Sequence, residues 1–522
     1  MSAIVTDQFR ILNANNFVDS VESDENAYYV FIGLPNPDIE GFGRSSSWKT
    51  NTPDPVDSFS RLAHVGDTMM FGKKISSKNI RRIIKRVNWT AGSRYEMYRD
   101  DYSSDNPSPI ESASRLYGAK YYVMNEDYRV YICISNGSTG DRTSQTAKGN
   151  ISQDEPTFTD LEPSRAGNSG DGYIWKYLFT VSPSDIIKFD STEYITVPNS
   201  WTTTADAQIR AVRENGNSVV NNNQIKHVYI ESGGGGYAEG LGQEVSIIGD
   251  GTGAKARVDV VSGTITNVTV SSGGQGYSYA LVDLGSISNN VPANNRAKLV
   301  PIIPPALGHG SDIYKELGTD KVLIYARFDD STKDFPTDTK FSQIGIVKNP
   351  TTVGTANTYT TNDFSSLQAL KLSTITGTPT IGEKIVQTTQ TNQIAEGYIA
   401  SWDKKTQVLK YFRDRSLNYT TTNDQTDYAG ISTSGRIYEF ESTANVILGE
   451  VSNFSANIDT GFSGISTNPT GTKLINLGTT FKNGLSDSEI NKGSGDIIYL
   501  DNRPLIARNE RQKEDVKIIL EF

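Results

Sequence analysis

The segment from Gly170 to Pro183, Gly-Asp-Gly-Tyr-Ile-Trp-Lys-Tyr-Leu-Phe-Thr-Val-Ser-Pro, constrains the fold more than any other part of the chain. It opens with a glycine-rich turn, and in an extended strand its side chains alternate between two faces. One face is wholly aromatic and consists of Tyr173, Trp175, Tyr177 and Phe179. The pattern predicts a central core strand with these residues buried, followed by a helix that begins at Pro183.

Short strands and polar turns are predicted for most of the remaining chain. Of its 522 residues 36% are hydrophobic, and it contains 46 glycines and 26 tyrosines. This length exceeds what one hydrophobic core usually serves, and the composition is typical of many short strands. We therefore predict a mainly β, multi-domain protein, in which a β-sandwich-like body carries two all-β insertions and a few short helices.

Changes in amino-acid composition along the chain indicate the domain boundaries. The body is predicted to comprise residues 1–226, 313–355 and 479–522. The first insertion, residues 227–312, is glycine-rich and contains a duplicated unit, because a strand, a glycine run and a tyrosine recur 40 residues apart at Tyr237 and Tyr277. The second insertion, residues 356–478, is a threonine-rich block of short strands.

A basic segment from Lys73 to Arg86 carries seven basic residues and no acidic one. Its apolar residues recur at helical spacing, which predicts an amphipathic helix with a basic outer face. A solvated surface is the simplest interpretation, and docking on an acidic partner is an alternative, with nucleic acid or a membrane as a further one. The net charge of −10 argues against a dedicated nucleic-acid-binding protein.

The sequence contains no Gly-x-Ser-x-Gly elbow, no His-Glu-x-x-His motif and no acidic-glycine calcium loop. The three histidines, His64, His227 and His309, are scattered, and the single cysteine, Cys133, lies in an apolar strand pattern that predicts a buried thiol. We therefore predict no catalytic residues, no cofactor and no metal site. No apolar run is long enough to cross a bilayer, and we expect a soluble protein without a signal peptide, made in a reducing compartment.

The C-terminal segment resembles the end of a known family. Gly495 to Pro504, Gly-Asp-Ile-Ile-Tyr-Leu-Asp-Asn-Arg-Pro, is similar to the end of the baseplate wedge subunit of T-even-like contractile-tailed bacteriophages, the gene product eight family. Four further blocks agree in the same order: Ala3 to Thr6 with Phe9 and Arg10; Arg86 to Trp89 with Gly92, Arg94 and Tyr95; Gly170 to Phe179 with Glu193 to Ile195, Val197 and Pro198; and Phe341 to Pro350 apart from its variable positions. The resemblance covers residues 1–225, 313–350 and 480–522, and it skips both insertions.

The resemblance implies a structural subunit without enzymatic activity. Such a subunit would form a homodimer, link neighbouring wedge proteins, hold the baseplate together and repack when the tail is triggered. Its partners would be a second copy, other wedge subunits, and peripheral tail or fibre-attachment proteins, with no nucleic acid and no membrane insertion. It would be made and assembled in the host cytoplasm and would reside in the tail baseplate of the virion.

Two groups of residues are candidate contacts with partners. Arg503 and Pro504 lie in a predicted turn, and Trp89, Arg94 and Tyr95 form an aromatic and arginine cluster of the residue types that dominate interface hot spots. Structural roles within the subunit are the alternative for both groups.

Two other functions remain open at this point. The chain could be a β-rich tail protein that binds host surface glycans through its aromatic-rich insertions, or a tailspike-like depolymerase.

Overall fold

A computed structural model of the chain describes residues 5–34, 52–216, 223–288, 291–329, 339–413, 438–469, 471–508 and 512–522. These residues form mostly strands and a few short helices, which confirms the predicted mainly β fold. The helices are α1 (Asp7–Glu22), α2 (Phe59–Thr68), α3 (Pro183–Phe189), α4 (Ala207–Gly216) and α5 (Ile313–Leu317). No helix within these ranges has both the length and the apolar character that crossing a bilayer requires.

The strands of the first part of the chain are β1 (Tyr28–Gly33), β2 (Met69–Ile75), β3 (Ile80–Lys85), β4 (Tyr122–Met124), β5 (Arg129–Asn136), β6 (Tyr173–Thr180), β7 (Tyr194–Val197), β8 (Val228–Ser232), β9 (Gly240–Gly249), β10 (Thr252–Val261), β11 (Thr264–Gln275), β12 (Ala280–Asp283) and β13 (Lys298–Pro301). The strands that follow are β14 (Lys321–Phe328), β15 (Lys340–Lys348), β16 (Asp363–Ser365), β17 (Gln368–Thr376), β18 (Lys384–Thr388), β19 (Ile394–Asp403), β20 (Val408–Phe412), β21 (Ile447–Gly449), β22 (Ser455–Ile458), β23 (Gly464–Thr467), β24 (Ile475–Phe481), β25 (Leu485–Ser486), β26 (Asp496–Ala507) and β27 (Glu514–Glu521).

The chain divides into two units by its internal contacts. Unit 1 contains Met1–Val18, Arg81–Leu323 and Ile519–Phe522, and unit 2 contains Asp19–Ile80 and Ile324–Ile518. The predicted glycine-rich insertion lies in unit 1 and the predicted threonine-rich insertion in unit 2, while the predicted body is shared between the units. The domain boundaries drawn from the sequence stay a prediction.

The main core of unit 1 is built on the antiparallel sheet β4-β5-β6. Cys133 of β5 is fully buried and lies opposite Trp175 of β6. Helix α3 follows β6 and begins at Pro183, as predicted, because the Ser182 hydroxyl accepts a hydrogen bond from the backbone N–H of Asp185 at 3.2 Å. This sheet and helix provide the frame for the candidate residues of unit 1.

The basic segment from Lys73 to Arg86 is not a helix, and that prediction is wrong. It contains the end of β2, a turn, and all of β3. The three isoleucines of β3 are β-branched, which favours a strand over a helix, and the turn between Ser76 and Asn79 is closed by a backbone hydrogen bond of 2.8 Å. Within unit 1, β3 pairs antiparallel with β7, with Ile84 opposite Ile195.

The glycine-rich insertion forms a four-stranded antiparallel sheet in the order β11-β10-β9-β12, together with the pair β13-β8. One face of this sheet packs on an apolar cluster of its own that includes Val245, Val258, Tyr237 and Tyr277. The insertion therefore has its own small core inside unit 1.

Unit 2 contains a five-stranded antiparallel sheet in the order β16-β2-β1-β15-β26. The threonine-rich insertion forms a second sheet in which six strands follow the order β20-β19-β18-β21-β22-β17. Strand β17 also pairs with β20, with Leu370 opposite Leu409, so the six strands close into a small cylinder around an apolar interior. The short strands predicted for this block are confirmed, with β19 and β20 among them.

Candidate functional site

The aromatic face of β6 lies entirely inside unit 1. Tyr173, Trp175, Tyr177 and Phe179 are each at most 1% exposed. The Tyr173 and Trp175 rings stack with their centroids 5.3 Å apart. Within the described ranges the indole N–H of Trp175 has no hydrogen-bond acceptor, so this residue contributes through packing. The arrangement is that of a structural core.

The cluster of Trp89, Arg94 and Tyr95 is divided between core and surface. Tyr95 is 4% exposed, its ring lies edge-on to Trp175 at 5.8 Å, and its backbone N–H donates to the Tyr173 hydroxyl at 3.0 Å. Trp89 is half-buried and donates to the Ser152 hydroxyl at 3.0 Å. Arg94 is exposed, although its Nε donates to the carbonyl of Gly149 at 3.2 Å. Arg94 and part of Trp89 thus face solvent, whereas Tyr95 does not.

Arg503 and Pro504 lie within strand β26, so the predicted turn is wrong. Strand β26 follows β15 along its length, with Asn502 opposite Gln343 and Ile506 opposite Phe341. Three residues of β26 therefore face one residue of β15, and this bulge accommodates a proline that has no N–H to donate to the ladder. Both residues are exposed, and the Arg503 Nε donates to Asp501 at 2.5 Å. Both are accordingly placed where a partner can reach them.

The two tyrosines of the duplicated unit are buried, and their hydroxyls form hydrogen bonds with backbone groups. The Tyr277 hydroxyl accepts from the N–H of Ala254 and donates to the carbonyl of Ile247, both at 3.1 Å. The Tyr237 hydroxyl accepts from the N–H of Ala297 at 2.7 Å. The duplication extends to the backbone, since Gly234 and Gly274 both have a φ of +61°, which only glycine adopts readily. The repeat is therefore a structural device of the insertion.

Sequence reasoning did not foresee the buried charged groups of unit 1. Lys176, on β6, is 1% exposed and donates to the carbonyl of Leu161 at 2.6 Å. Burial lowers the pKa of its amine to about 8. A second group pairs the guanidinium of Arg81 with Asp185. The one available signal was a lysine inside an otherwise apolar strand, because the partners of both groups come from distant parts of the sequence.

No site for a metal ion appears among the residues that the structure describes, since none of their His, Cys, Asp and Glu side chains gather in groups of three or more. An open cleft of about 180 Å³ lies beside β6, α3 and α4, and Asp185 lines it. That carboxylate pairs with Arg81, and the second acidic residue of the lining, Asp206, accepts a hydrogen bond from the backbone N–H of Ile209 at 2.9 Å.

Comparison with known proteins agrees with the resemblance. Residues 3–233 match the family model described as Bacteriophage T4, Gp8. A curated relative, the baseplate wedge protein gp8 of Enterobacteria phage T4, is 28% identical over 216 residues, which cover 38% of this chain and 60% of the relative. The later blocks of the resemblance, at 313–350 and 480–522, lie outside the residues that the family model matches. Residues 3–233 are therefore similar to the Gp8 family, and the resemblance recognised from the sequence is confirmed over this region.

Proposed function

We propose that this chain is a structural subunit of a contractile-tail baseplate, located in the wedge. The match of residues 3–233 to the Gp8 family, whose curated relative is a baseplate wedge protein, is the observation that carries the proposal. The aromatic face of β6, within the matched region, forms a dry core, as expected of a scaffold. Its role is to hold neighbouring proteins in place, with no catalytic step.

Within this proposal the subunit acts as a homodimer that links neighbouring wedge proteins and repacks its interfaces when the tail is triggered. Trp89 and Arg94 in unit 1, and Arg503 and Pro504 in unit 2, are the proposed contacts. Arginine and tryptophan are enriched in interface hot spots, and the side chains of these residues reach solvent. Tyr95 is buried, and its proposed contribution to the cluster is packing inside unit 1.

Glycan binding through the insertions has less support. Sugar-binding surfaces need accessible aromatic rings, but Tyr237, Tyr277 and Tyr411 are each at most 5% exposed. These rings build the cores of the two insertions. Binding of the full-length chain to host envelope polysaccharide, abolished by Tyr279→Ala at an exposed ring, would reverse this preference.

Electron microscopy of tails from phage lacking this chain tests the location directly. We expect incomplete baseplates, restored when the chain is supplied. Intact, infectious tails without it would overturn the scaffold proposal.

Light scattering at micromolar concentration tests the dimer. We expect the mass of two chains, and a monomeric mass would contradict homodimerisation. Arg94→Glu and Arg503→Glu should each weaken binding to the dimer partner or to a wedge neighbour, whereas Arg257→Glu, on the exposed face of the glycine-rich insertion, serves as the matched control.

A further inference from the structure

A lysine and an asparagine from different elements of unit 1 meet at one carbonyl oxygen. Lys176 lies in β6, and Asn215 lies in the last turn of α4. The carbonyl of Leu161 accepts from Lys176 Nζ at 2.6 Å and from Asn215 Nδ2 at 2.9 Å. The two nitrogens are therefore at most 5.5 Å apart. A change of rotamer of the lysine side chain is the movement that would be needed to bring the amine to the carboxamide carbon.

The amine of Lys176 is well suited to act as a nucleophile. Its side chain is almost completely excluded from water, and this burial is the main reason that its pKa is lowered to about 8. The negative charges of Glu316 and Glu162 act to raise the pKa, whereas the positive charge of Lys226 lowers it further. About a tenth of the amine is then neutral at pH 7. An unprotonated lysine in a dry setting has a free electron pair for attack on a carbonyl carbon.

A carboxylate lies beside the carboxamide. The Glu162 Oε1 accepts from Asn215 Nδ2 at 3.2 Å, and its Oε2 pairs with Lys226 Nζ at 2.7 Å. Partial burial raises the pKa of Glu162, but the hydrogen bond and charge of Lys226 outweigh this effect and leave the pKa below its ordinary value. The ionised carboxylate is thus placed to carry a proton to the amide nitrogen.

We propose that Lys176 and Asn215 form an intramolecular isopeptide bond. After the ammonium of Lys176 has released a proton to solvent, its Nζ attacks Cγ of Asn215. Glu162 takes the second proton from Nζ and delivers it to Nδ2, the Cγ–Nδ2 bond breaks, and ammonia leaves. One amide replaces another, so the step needs no oxidant and no cofactor, and Glu162 returns to its ionised form. The new bond ties β6 to α4.

Mass spectrometry of the purified full-length chain tests this proposal. The protein should be lighter than its sequence by one ammonia, about 17 Da. A protease digest should contain a branched peptide that joins Lys176 to Asn215. A mass equal to that of the sequence, with both residues recovered on separate linear peptides, overturns the proposal.

The control must separate this bond from a second reaction with the same mass change. Asn215 precedes Gly216, and an asparagine–glycine pair can lose ammonia by forming a cyclic imide on its own backbone. Lys176→Arg keeps the charge but cannot form the cross-link, so it should restore the full mass. A loss of ammonia at Asn215 that persists in Lys176→Arg would assign the change to the imide and overturn the proposal.

Glu162→Gln tests the proton carrier while leaving both reacting groups in place. We expect this variant to be purified largely uncross-linked and to gain the bond slowly on incubation at pH 9, where more Lys176 is neutral. Cross-linking as complete as in the natural chain would remove Glu162 from the step. If Lys176→Arg does not fold, the presence or absence of the branched peptide in the natural chain still decides.

Discussion

The guanidinium of Arg81 holds the carboxylate of Asp185 by both oxygens. The Arg81 Nε lies 3.0 Å from each oxygen, and a terminal nitrogen lies 2.9 Å from Oδ1. The two side chains are only 16% and 9% exposed, and they join β3 to the first turn of α3. Removing one partner would leave the other charge largely buried without compensation.

We therefore expect Asp185→Ala to lower the free energy of unfolding by about 3 kcal/mol, the low end of the range for breaking a buried pair. Urea denaturation checks this value. The matched control is Asp190→Ala, because Asp190 pairs with Arg86 but is 46% exposed, and such pairs contribute about 1 kcal/mol or less. Equal effects of the two substitutions would contradict the role given to the buried pair.

Trp175→Ala should destabilise the protein by about 3–5 kcal/mol, because it opens a cavity in the core of unit 1. Trp175→Phe keeps much of the packing and removes an N–H that has no acceptor in the described part of the chain, so it should cost less. Denaturation curves of both variants test the order. If Trp175→Ala folds with unchanged stability but blocks assembly, Trp175 is an interface residue.

Tyr277→Phe should cost about 1–3 kcal/mol, since it leaves the backbone N–H of Ala254 and the carbonyl of Ile247 without their partner in a buried position. Tyr279→Phe removes the same hydroxyl from a side chain that is 60% exposed and should be neutral. Thermal unfolding of the pair measures the difference. A neutral Tyr277→Phe would refute the backbone role of the repeat tyrosines.

Lowering the pH should destabilise the folded protein because of His227. Burial, together with the charge of Arg99, lowers the pKa of this imidazole from 6.5 to about 4. Between these values the unfolded chain binds a proton that the folded chain excludes, so this contribution to stability is present above pH 6.5 and is lost as the pH falls toward 4. The loss amounts to roughly 3 kcal/mol.

His227→Gln cannot titrate and should lack this part of the pH dependence. Denaturant midpoints of the natural chain and the variant at pH 7 and pH 4.5 provide the comparison. Parallel losses of stability in the two proteins would show that other groups are responsible.

Local patterns predicted the elements that are stabilised by their own sequence. Strand β6 alternates aromatic residues and is bounded by a turn and a capped helix, so the local pattern and the final environment agree. The closed sheet of the threonine-rich block was foreseen only as short strands. Its closure depends on the pairing of β17 with β20, and such a long-range pairing cannot be predicted from the sequence of either strand alone.

The predictions that were wrong, and the buried lysine that was missed, also depend on contacts between distant parts of the sequence. Helical spacing of the isoleucines in β3 was accidental, and their β-branched shape together with pairing to β7 decided the outcome. Asn502, Arg503 and Pro504 have the composition of a turn, but the bulge opposite β15 accommodates them in a strand. The setting of Lys176 could not be foreseen, because Leu161 and Glu316 reach it only through the fold.

The bulge in β26 has a consequence for how copies of this protein associate. Strand β26 has 12 residues and stands at the end of its sheet, where a long regular strand would offer a template for the strand of another molecule. Pro504 interrupts the row of donors, and the extra residues tilt the backbone away from a flat ladder. Open-ended strand addition along this edge, which could lead to fibres, is therefore disfavoured.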